Sequence, residues 1–248
     1  MEDESYKPTL SVVIPAYNEE DCLAQTIASV QKAGDRLRAE KKQAIEIIVV
    51  DNNSKDRTGE VAREAGARVV FEPQNNISRA RNAGAAVARG EFLAFVDADM
   101  LISDDLLCAI DENLMNPGSV GGGTRTRPDR WSITVMIFWM IESVARFLFG
   151  GFDGVLHCRH KEFFEMGGFS EKHYVAEKID FYKRLKLHGR WRSQEIKDAP
   201  RGHAVVSMRM LAEHGFWTFL KNVLPFLWRP NRKVCDLKYC KLWYKGVK

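Results

Sequence analysis

Two aspartates, Asp97 and Asp99, follow an apolar run from Phe92 to Val96. The run has the length and the continuous hydrophobicity of a strand that is covered on both faces of a parallel sheet. Ligands of open α/β sheets bind outside the carboxyl ends of the strands, where the two acids are expected to lie. Carboxylates at such a place suit a hard divalent cation, Mg²⁺ or Mn²⁺, completed by water and substrate phosphates.

The spacing of the two acids sets a geometric condition. We expect the backbone to bend after Asp97, so that the carboxylates of Asp97 and Asp99 converge on one ion. The alternative interpretation is that Asp99 caps a helix that begins near Ser103. The residues alone leave both interpretations open.

Strands and helices alternate along the first part of the chain. Besides the run before Asp97, strands are predicted over Leu10 to Ile14, Ala44 to Val50 and Val69 to Phe71. Helices are predicted over Glu20 to Ala33, Thr58 to Ala65 and Asn76 to Arg89. This alternation predicts an α/β fold with a doubly wound, mostly parallel sheet flanked by helices. Further along, we predict a helix over Asp104 to Leu114, a strand over Val120 to Thr126, and a helix from Tyr174 to Gly189.

The composition excludes a disordered chain. The protein has 248 residues, of which 45% are hydrophobic and 28% charged, enough for one sizeable α/β domain. Its net charge is +4, with basic residues concentrated after Arg125 and again from Lys221 to Lys248. That distribution suits an anionic surface or a phosphate-bearing substrate, and a solvated basic face is the alternative.

Cysteine usage and the N-terminus predict the compartment. The five cysteines are odd in number and lack zinc-finger spacing, which predicts reduced thiols in the cytoplasm. The N-terminal residues are acidic and polar and do not form a signal peptide.

Two apolar segments point toward a membrane surface. Trp131 to Phe149 is rich in aromatic residues but contains Glu142 and Arg146, each costing roughly 2.5–3.5 kcal/mol inside a bilayer. An interfacial helix or a buried helix is therefore favoured over a span. Phe216 to Trp228 precedes a basic tail, a pairing that suits an anionic membrane surface, with a hydrophobic cap or an oligomer contact as alternatives.

Four sequence features occur in a specific order. They are Val13 to Glu20, Ile48 to Thr58, Ala80 to Gly84 leading into Phe95 to Asp99, and Gly167 to Phe169 before an acidic helix start. In this order they resemble glycosyltransferase family 2, the inverting nucleotide-sugar-dependent enzymes with the GT-A fold. The resemblance implies a GT-A domain over residues 8–210, with a nucleotide-sugar-binding half at 8–100 and an acceptor-binding half at 101–210. An apolar and basic tail at 211–248 lies outside the resemblance.

The resemblance implies roles for residues on the donor side. Tyr17 offers a ring face to the base, and Asp51 accepts from the imide if the base is uracil. The family often has Asp-Gly after this acid, whereas Asn52 and Asn53 stand here, which leaves the base identity open. The implied donor-binding residues are Pro15, Tyr17, Glu19, Asp51, Arg79, Arg81, Asp97, Ala98 and Arg209. Of the arginines, Arg79 or Arg81 is expected to pair with the diphosphate, and Arg79 has a solvent-facing role as its alternative.

The resemblance also implies a metal site and a general base. Asp99 would bind Mn²⁺ or Mg²⁺ directly, Asp97 would reach the ribose or the metal, and His203 is a further candidate ligand with a structural role as its alternative. The family commonly places the base at a Glu-Asp pair that opens a helix. Here Lys178 replaces the aspartate, so Glu177 is the first candidate base and Asp180 the second, with helix capping as the alternative for Asp180.

These features predict a metal-dependent inverting glycosyltransferase that moves a single sugar from a nucleotide-diphosphate donor, expected to be a UDP-sugar, to a lipid-linked or glycan acceptor. A single transfer is expected because the Gln-x-x-Arg-Trp element of processive synthases is missing. The expected location is the cytoplasm, with peripheral contact at the inner face of the cell membrane and no nucleic-acid partner. The competing hypotheses are a non-catalytic nucleotide-binding protein of the same fold, which Lys178 favours, and a nucleotidyltransferase.

Overall fold

The computed structural model of the chain describes residues 7–137, 139–140, 154–172 and 177–209. Its strands are β1 (Leu10–Ala16), β2 (Ile45–Asp51), β3 (Arg68–Phe71), β4 (Phe92–Phe95), β5 (Met100–Ile102), β6 (Ser119–Gly122), β7 (Thr126–Pro128), β8 (Leu156–Arg159), β9 (Glu195–Ile196) and β10 (Ala204–Val206). Its helices are α1 (Leu23–Lys41), α2 (Thr58–Glu64), α3 (Ile77–Val87), α4 (Leu106–Met115), α5 (His160–Glu165) and α6 (Glu177–Trp191). A further helical stretch lies within residues 133–140.

The strands form two sheets. The larger has seven strands in the order β3-β2-β1-β4-β8-β6-β9, and the smaller has the order β5-β10-β7. Strands β3, β2, β1 and β4 are mutually parallel, whereas β8 runs antiparallel to both β4 and β6. The predicted parallel, helix-flanked sheet is thus confirmed in its first half, and the second half is mixed.

Helices cover both faces of the larger sheet. Alternate residues of β1 point to opposite faces. Val12 and Ile14 belong to the core cluster that also contains residues of α1 and α4. Val13 instead belongs to the cluster under α3 and α6. On that face α3 lies so close that a Cβ at Gly84 would sit 2.4 Å from Val13 Cγ1, and only glycine fits there.

Several predicted elements differ from the observed ones. Helix α1 continues beyond Ala33 to Lys41, because Gly34 and Leu37 extend its buried stripe. The strand predicted over Val120 to Thr126 is two separate strands, β6 and β7. The start of the helix predicted from Tyr174 lies outside the described residues, and α6 runs two residues past Gly189.

The two apolar segments are described only in part. Residues 131–137 and 139–140 of the first are described, and the remainder of it and all of Phe216 to Trp228 are not. Within the described ranges, no helix has both the length and the hydropathy that crossing a bilayer requires. The thiols of Cys22, Cys108 and Cys158 are free, as the sequence predicts.

Candidate active site

The two aspartates lie on a tight turn at the carboxyl end of β4. The Met100 amide donates to the Asp97 carbonyl over 3.1 Å, which closes the turn. The Ala98 carbonyl accepts from Thr26 Oγ1 of α1 at 2.7 Å, which fixes the turn against the helix. The bend predicted after Asp97 is confirmed. The capping alternative for Asp99 is wrong, because β5 follows directly and the next helix begins only at Leu106.

Asp97 is held between two cations. Its Oδ1 accepts from Arg81 Nη2 at 2.7 Å, and its Oδ2 accepts from Lys178 Nζ at 2.5 Å. Burial opposes ionisation of this carboxyl, but the charges of Lys178 and Arg81 outweigh it and lower the pKa of Asp97 to about 2. Asp97 therefore remains ionised at any working pH and has one cation on each oxygen.

Arg81 joins α3 to α6 beneath the turn. Its side chain is only 1% exposed, and its second terminal nitrogen, Nη1, donates to Glu177 Oε1. Burial opposes the charge, yet Glu177 and Asp97 raise the pKa of Arg81 above its ordinary value. The Arg81 guanidinium carbon also lies 5.4 Å from the centre of the Phe169 ring. This corrects the expectation of a diphosphate contact for Arg81, since its guanidinium is enclosed and both terminal nitrogens are bound to carboxylates.

Asp99 is the acid of the pair that keeps its oxygens available. Burial, followed by the negative charges of Asp97 and Glu19, raises the pKa of Asp99 to about 6. Across the described ranges no cationic side chain forms an ion pair with it. A half-buried carboxylate beside two other acids is a good oxygen ligand for Mg²⁺ or Mn²⁺, so the residues fit the predicted metal.

Glu19 and Arg209 close the site on the other side. Arg209 Nη2 lies 2.8 Å from Glu19 Oε2, which brings residues from the two ends of the domain together. Cys22 Sγ lies 3.0 Å from the same oxygen, and burial together with the bond to Glu19 raises the pKa of that thiol to about 12. The thiol is thus protonated and donates to Glu19. The charge of Arg209 also acts on Asp99, where it opposes the rise in pKa. The predicted contact of Arg209 with a phosphate stays a prediction.

His203 lies away from the aspartates. The antiparallel pairing of β10 with β5 sets Val206 opposite Met100 and Ala204 opposite Ile102. In this register His203 lies opposite Ser103, four residues from Asp99, or about 13 Å along a strand. The predicted role of His203 as a metal ligand is therefore wrong.

A different acid and histidine group is assembled elsewhere in the described part of the chain. Glu162, Glu165 and His188 bring their potential ligand atoms within 4.8 Å of one another, between α5 and α6. Arg192 forms ion pairs with both glutamates. The group is thus an ion-pair network that joins the two helices.

The loops after β1 and β2 carry the residues that are predicted to bind the base of the donor. Pro15 is buried within β1, and Tyr17 follows it half-buried. Asp51 ends β2, where its Oδ1 accepts from the Ser54 amide at 2.9 Å. The Glu19 amide donates to Thr58 Oγ1 at 2.8 Å, so the two loops are tied together. The predicted base-binding residues are therefore neighbours at one edge of the sheet.

Asn52 and Asn53, which depart from the family pattern, both have structural reasons. The Asn52 amide donates to the carbonyls of Glu72 and Gln74, and its oxygen accepts from the Asn76 amide at 2.9 Å. It thereby ties the end of β2 to the loop that opens α3. Asn53 has a φ of 63°, in the left-handed region that asparagine tolerates better than most residues. The sequence alone did not predict these hydrogen bonds of Asn52.

The remaining predicted residues already have partners. Arg79 pairs with Glu72 at 3.3 Å and with Glu171 at 2.7 Å, with a third of its side chain exposed. Asp180 pairs with Arg184 at 2.9 Å, one turn along α6. Ala98, in the turn between the two aspartates, is buried. The predicted roles of Arg79 and Ala98 in donor binding and of Asp180 as a general base stay predictions.

A sequence model of one family covers most of this arrangement. The model described as glycosyl transferase family 2 matches residues 11–214. The chain belongs to glycosyltransferase family 2. The match includes every element of the site, from β1 to Arg209, and the enzyme class that the sequence predicts is confirmed.

Individual relatives of this glycosyltransferase match over shorter stretches. EpsJ of Bacillus subtilis, an uncharacterised glycosyltransferase, is 34% identical over 110 residues, which are 42% of this chain and 30% of EpsJ. The glycosyltransferase GlyG of Streptococcus pneumoniae is 31% identical over 104 residues, which are 40% of this chain and 32% of GlyG. The matches thus span less than a third of either relative.

Solved structures share the fold over a longer range. TarS of S. aureus, residues 1–349, matches with a TM-score of 0.60 at 19% identity, over 82% of this chain and 61% of that one. The same protein in complex with UDP-GlcNAc also matches with a TM-score of 0.60, at 20% identity, over 80% of this chain and 58% of that one. The GT-A fold expected from the sequence is confirmed.

Proposed function

We propose that this glycosyltransferase moves a single sugar, with inversion, from a UDP-linked donor to a lipid-linked or glycan acceptor and uses a divalent cation. The observation that carries the proposal is Asp99, a carboxylate at the carboxyl end of β4 with no ion-pair partner in the described ranges and with Asp97 and Glu19 beside it. The UDP-GlcNAc held by TarS supports a UDP-linked donor.

Different residues around the turn would bind the metal, the diphosphate and the base of the donor. Asp99 would hold Mn²⁺ or Mg²⁺, which when bound neutralises the diphosphate as it leaves. Arg209 supplies a second positive charge close to the same place. Asp51 and Tyr17 lie at the neighbouring strand ends, where the base would bind. For a hydroxyl acceptor the reaction also needs a general base, for which Glu177 is the first candidate and Asp180 the second.

Thermal unfolding in the presence of nucleotides tests the donor site. We expect one of UDP, GDP, CDP and dTDP, UDP by preference, to raise the melting temperature only with Mn²⁺ or Mg²⁺. At a hundredfold excess over Kd the stabilisation is about 2.7 kcal/mol, or roughly 5–10 °C for a domain of this size. A shift of equal size without metal would contradict metal dependence, and no shift with any nucleotide would contradict the donor site.

A non-catalytic nucleotide-binding protein is the second candidate. Lys178 favours this candidate, because it replaces an aspartate that the family commonly has at this position. Its ammonium group forms an ion pair with Asp97. This candidate predicts the same metal-dependent nucleotide shift, but neither hydrolysis nor transfer of any donor sugar. Release of nucleoside diphosphate from a panel of nucleotide sugars separates the two.

Peripheral membrane contact is part of the proposal, and an outward-facing apolar stripe supports it. Ile133, Met136, Ile137 and Met140 follow the i, i+3, i+4, i+7 spacing of one helical face, and all are exposed. On the opposite face Val135 packs against Met208. Exposed arginines at positions 125, 127 and 130 precede the stripe, as an anionic lipid surface would favour.

Vesicle cosedimentation tests the membrane contact. We expect the protein to bind vesicles that contain phosphatidylglycerol and to bind pure phosphatidylcholine vesicles more weakly. The double substitution Ile133→Glu and Ile137→Glu should reduce binding at least tenfold, since an inserted aliphatic side chain contributes about 1.5–3 kcal/mol. Phe71→Glu, at an equally exposed position on edge strand β3, is the matched control and should bind as the unaltered protein does. Equal binding by all three proteins would contradict the contact.

A further inference from the structure

An open cavity lies at the amino edge of the larger sheet, at the opposite end of the parallel strands from the two aspartates. Its volume is about 580 Å³, which is within the range of small-molecule sites. Its lining includes Lys7, Arg89, Arg159, Lys161 and Phe164. Strand β1 runs from this edge to the carboxyl edge over seven residues, or roughly 20 Å. The cavity is therefore separate from the candidate active site.

Basic side chains from three neighbouring strands meet in this cavity. Phe92, at the start of β4, is paired with the start of β1 on one side and with Arg159 of β8 on the other. Lys7 lies just before β1 and Arg89 just before β4, so the three cations lie across two strand spacings, or roughly 10 Å. Of the described residues that line the cavity, four are lysine or arginine and one, Glu91, is acidic. The lining therefore favours a ligand that carries several negative charges.

Arg159 is held in place without a carboxylate partner. Its terminal nitrogens donate to the backbone carbonyls of Leu114, Ser119 and Asn116, the last over 3.1 Å. Within the described part of the chain, no carboxylate forms an ion pair with it. The three bonds use three of the five N–H groups of a guanidinium, so donors remain for a ligand. Because the side chain is already fixed, little of its conformational freedom is lost when an anion binds.

The cavity also has an aromatic surface. Phe164 is 50% exposed, although phenylalanine is usually buried. The His160 ring packs against it, with 5.0 Å between the ring centres and 59° between the ring planes. An exposed aromatic ring offers a face on which a planar base stacks. Cations beside such a ring match a ligand that joins a base to phosphates.

We propose that this cavity is a second nucleotide site, which binds a nucleoside triphosphate without a metal ion. The base stacks on Phe164, and the phosphates lie against Arg159, Arg89 and Lys7. No metal is needed, because the basic side chains themselves offset the charge of the phosphates. The cavity differs from the donor site in position and in metal requirement, so the inference does not rest on the proposed function.

Calorimetry in excess EDTA, with ATP as the probe, tests the inference. We expect ATP to bind at least tenfold more tightly than either adenosine or inorganic tripolyphosphate. Phe164→Ala should reduce the affinity for ATP to that for tripolyphosphate. Phe71→Ala removes a similarly exposed ring from β3 and should leave the affinity unchanged. Binding of ATP no tighter than that of tripolyphosphate, or full binding in Phe164→Ala, would overturn the inference.

Reversing the charge of two lysines provides a second test with a matched control. The double variant Lys7→Glu and Lys161→Glu changes two exposed lysines of the lining and should weaken ATP binding at least tenfold. The double variant Lys183→Glu and Lys186→Glu makes the same change in net charge on α6, outside the lining, and should bind ATP normally. Thermal unfolding establishes that both are folded. Equal ATP binding by the two would overturn the inference, whereas the lack of a metal-dependent UDP shift in the unaltered protein would contradict only the donor site.

Discussion

Replacing Asp99 with asparagine is expected to lower the rate of sugar transfer by about a hundredfold to a thousandfold, the loss typical of removing one preorganised electrostatic contact from an active site. The amide keeps the shape of the side chain but is a far weaker ligand for a divalent cation. In the same variant the metal-dependent nucleotide shift should disappear. Because folding raises the pKa of Asp99 to about 6, its carboxylate is still mostly ionised at pH 7 but destabilises the folded state there, so without metal the variant should be at least as stable as the unaltered protein.

The matched control for this variant is Asp104→Asn. Asp104 follows the same turn by a few residues and forms an exposed pair with Lys32. It should retain both transfer and the nucleotide shift. Protons compete with the metal for Asp99, so the shift of the unaltered protein should weaken below pH 6. A full metal-dependent shift in Asp99→Asn would contradict the assignment of Asp99 as the metal ligand.

Arg81→Met is expected to lower the free energy of unfolding by about 3–5 kcal/mol, the usual loss when one member of a buried charge network is removed. The methionine fills much of the space but leaves Glu177, which is 7% exposed, without its cation. Asp97 loses one of its two partners and keeps Lys178. Urea denaturation monitored by tryptophan fluorescence gives the free energy.

Arg79→Met is the matched control, on the same helix and two residues away. Its ion pairs are partly exposed, and such pairs contribute about 0–1 kcal/mol. The double variant Arg81→Met and Glu177→Gln should lose less than the sum of the two single losses, since both remove the same contact. Equal losses of unfolding free energy from Arg79→Met and Arg81→Met would contradict the prediction that the buried contact between Arg81 and Glu177 contributes more stability than an exposed ion pair.

The sequence predicted the parallel half of the fold well, because each element there is specified locally. The continuous apolar run of β4 and the three-to-four spacing of Leu23, Ile27 and Val30 in α1 both report burial directly. The bend after Asp97 was expected because the carboxylates of Asp97 and Asp99 were both predicted to bind one metal ion. The mixed half was harder, since β8 and β6 pair with strands that are distant in the chain and nothing in their own residues encodes the partner.

The site was predicted as a set of residues but not as a network. Asp97, Asp99 and Arg209 were named as candidates from the sequence. The bond from Lys178 to Asp97 was not expected, because it joins residues 81 positions apart. His203 was misplaced because its chemistry suits a metal, whereas its distance from Asp99 depends on the register of β10 against β5. Arg81 was assigned to the diphosphate for a similar reason, since a guanidinium matches a carboxylate as well as it matches a phosphate.

The contact between Arg81 and Glu177 also bears on how chains of this kind can be recombined. Arg81 precedes the predicted boundary between the two halves at residue 100, and Glu177 follows it. A chimera that takes each half from a different parent inherits a matched pair only if the parents carry arginine and glutamate at these two positions. A combination that supplies only one of the two charges buries that charge without its partner. The residues at positions 81 and 177 therefore indicate which parent proteins can exchange halves.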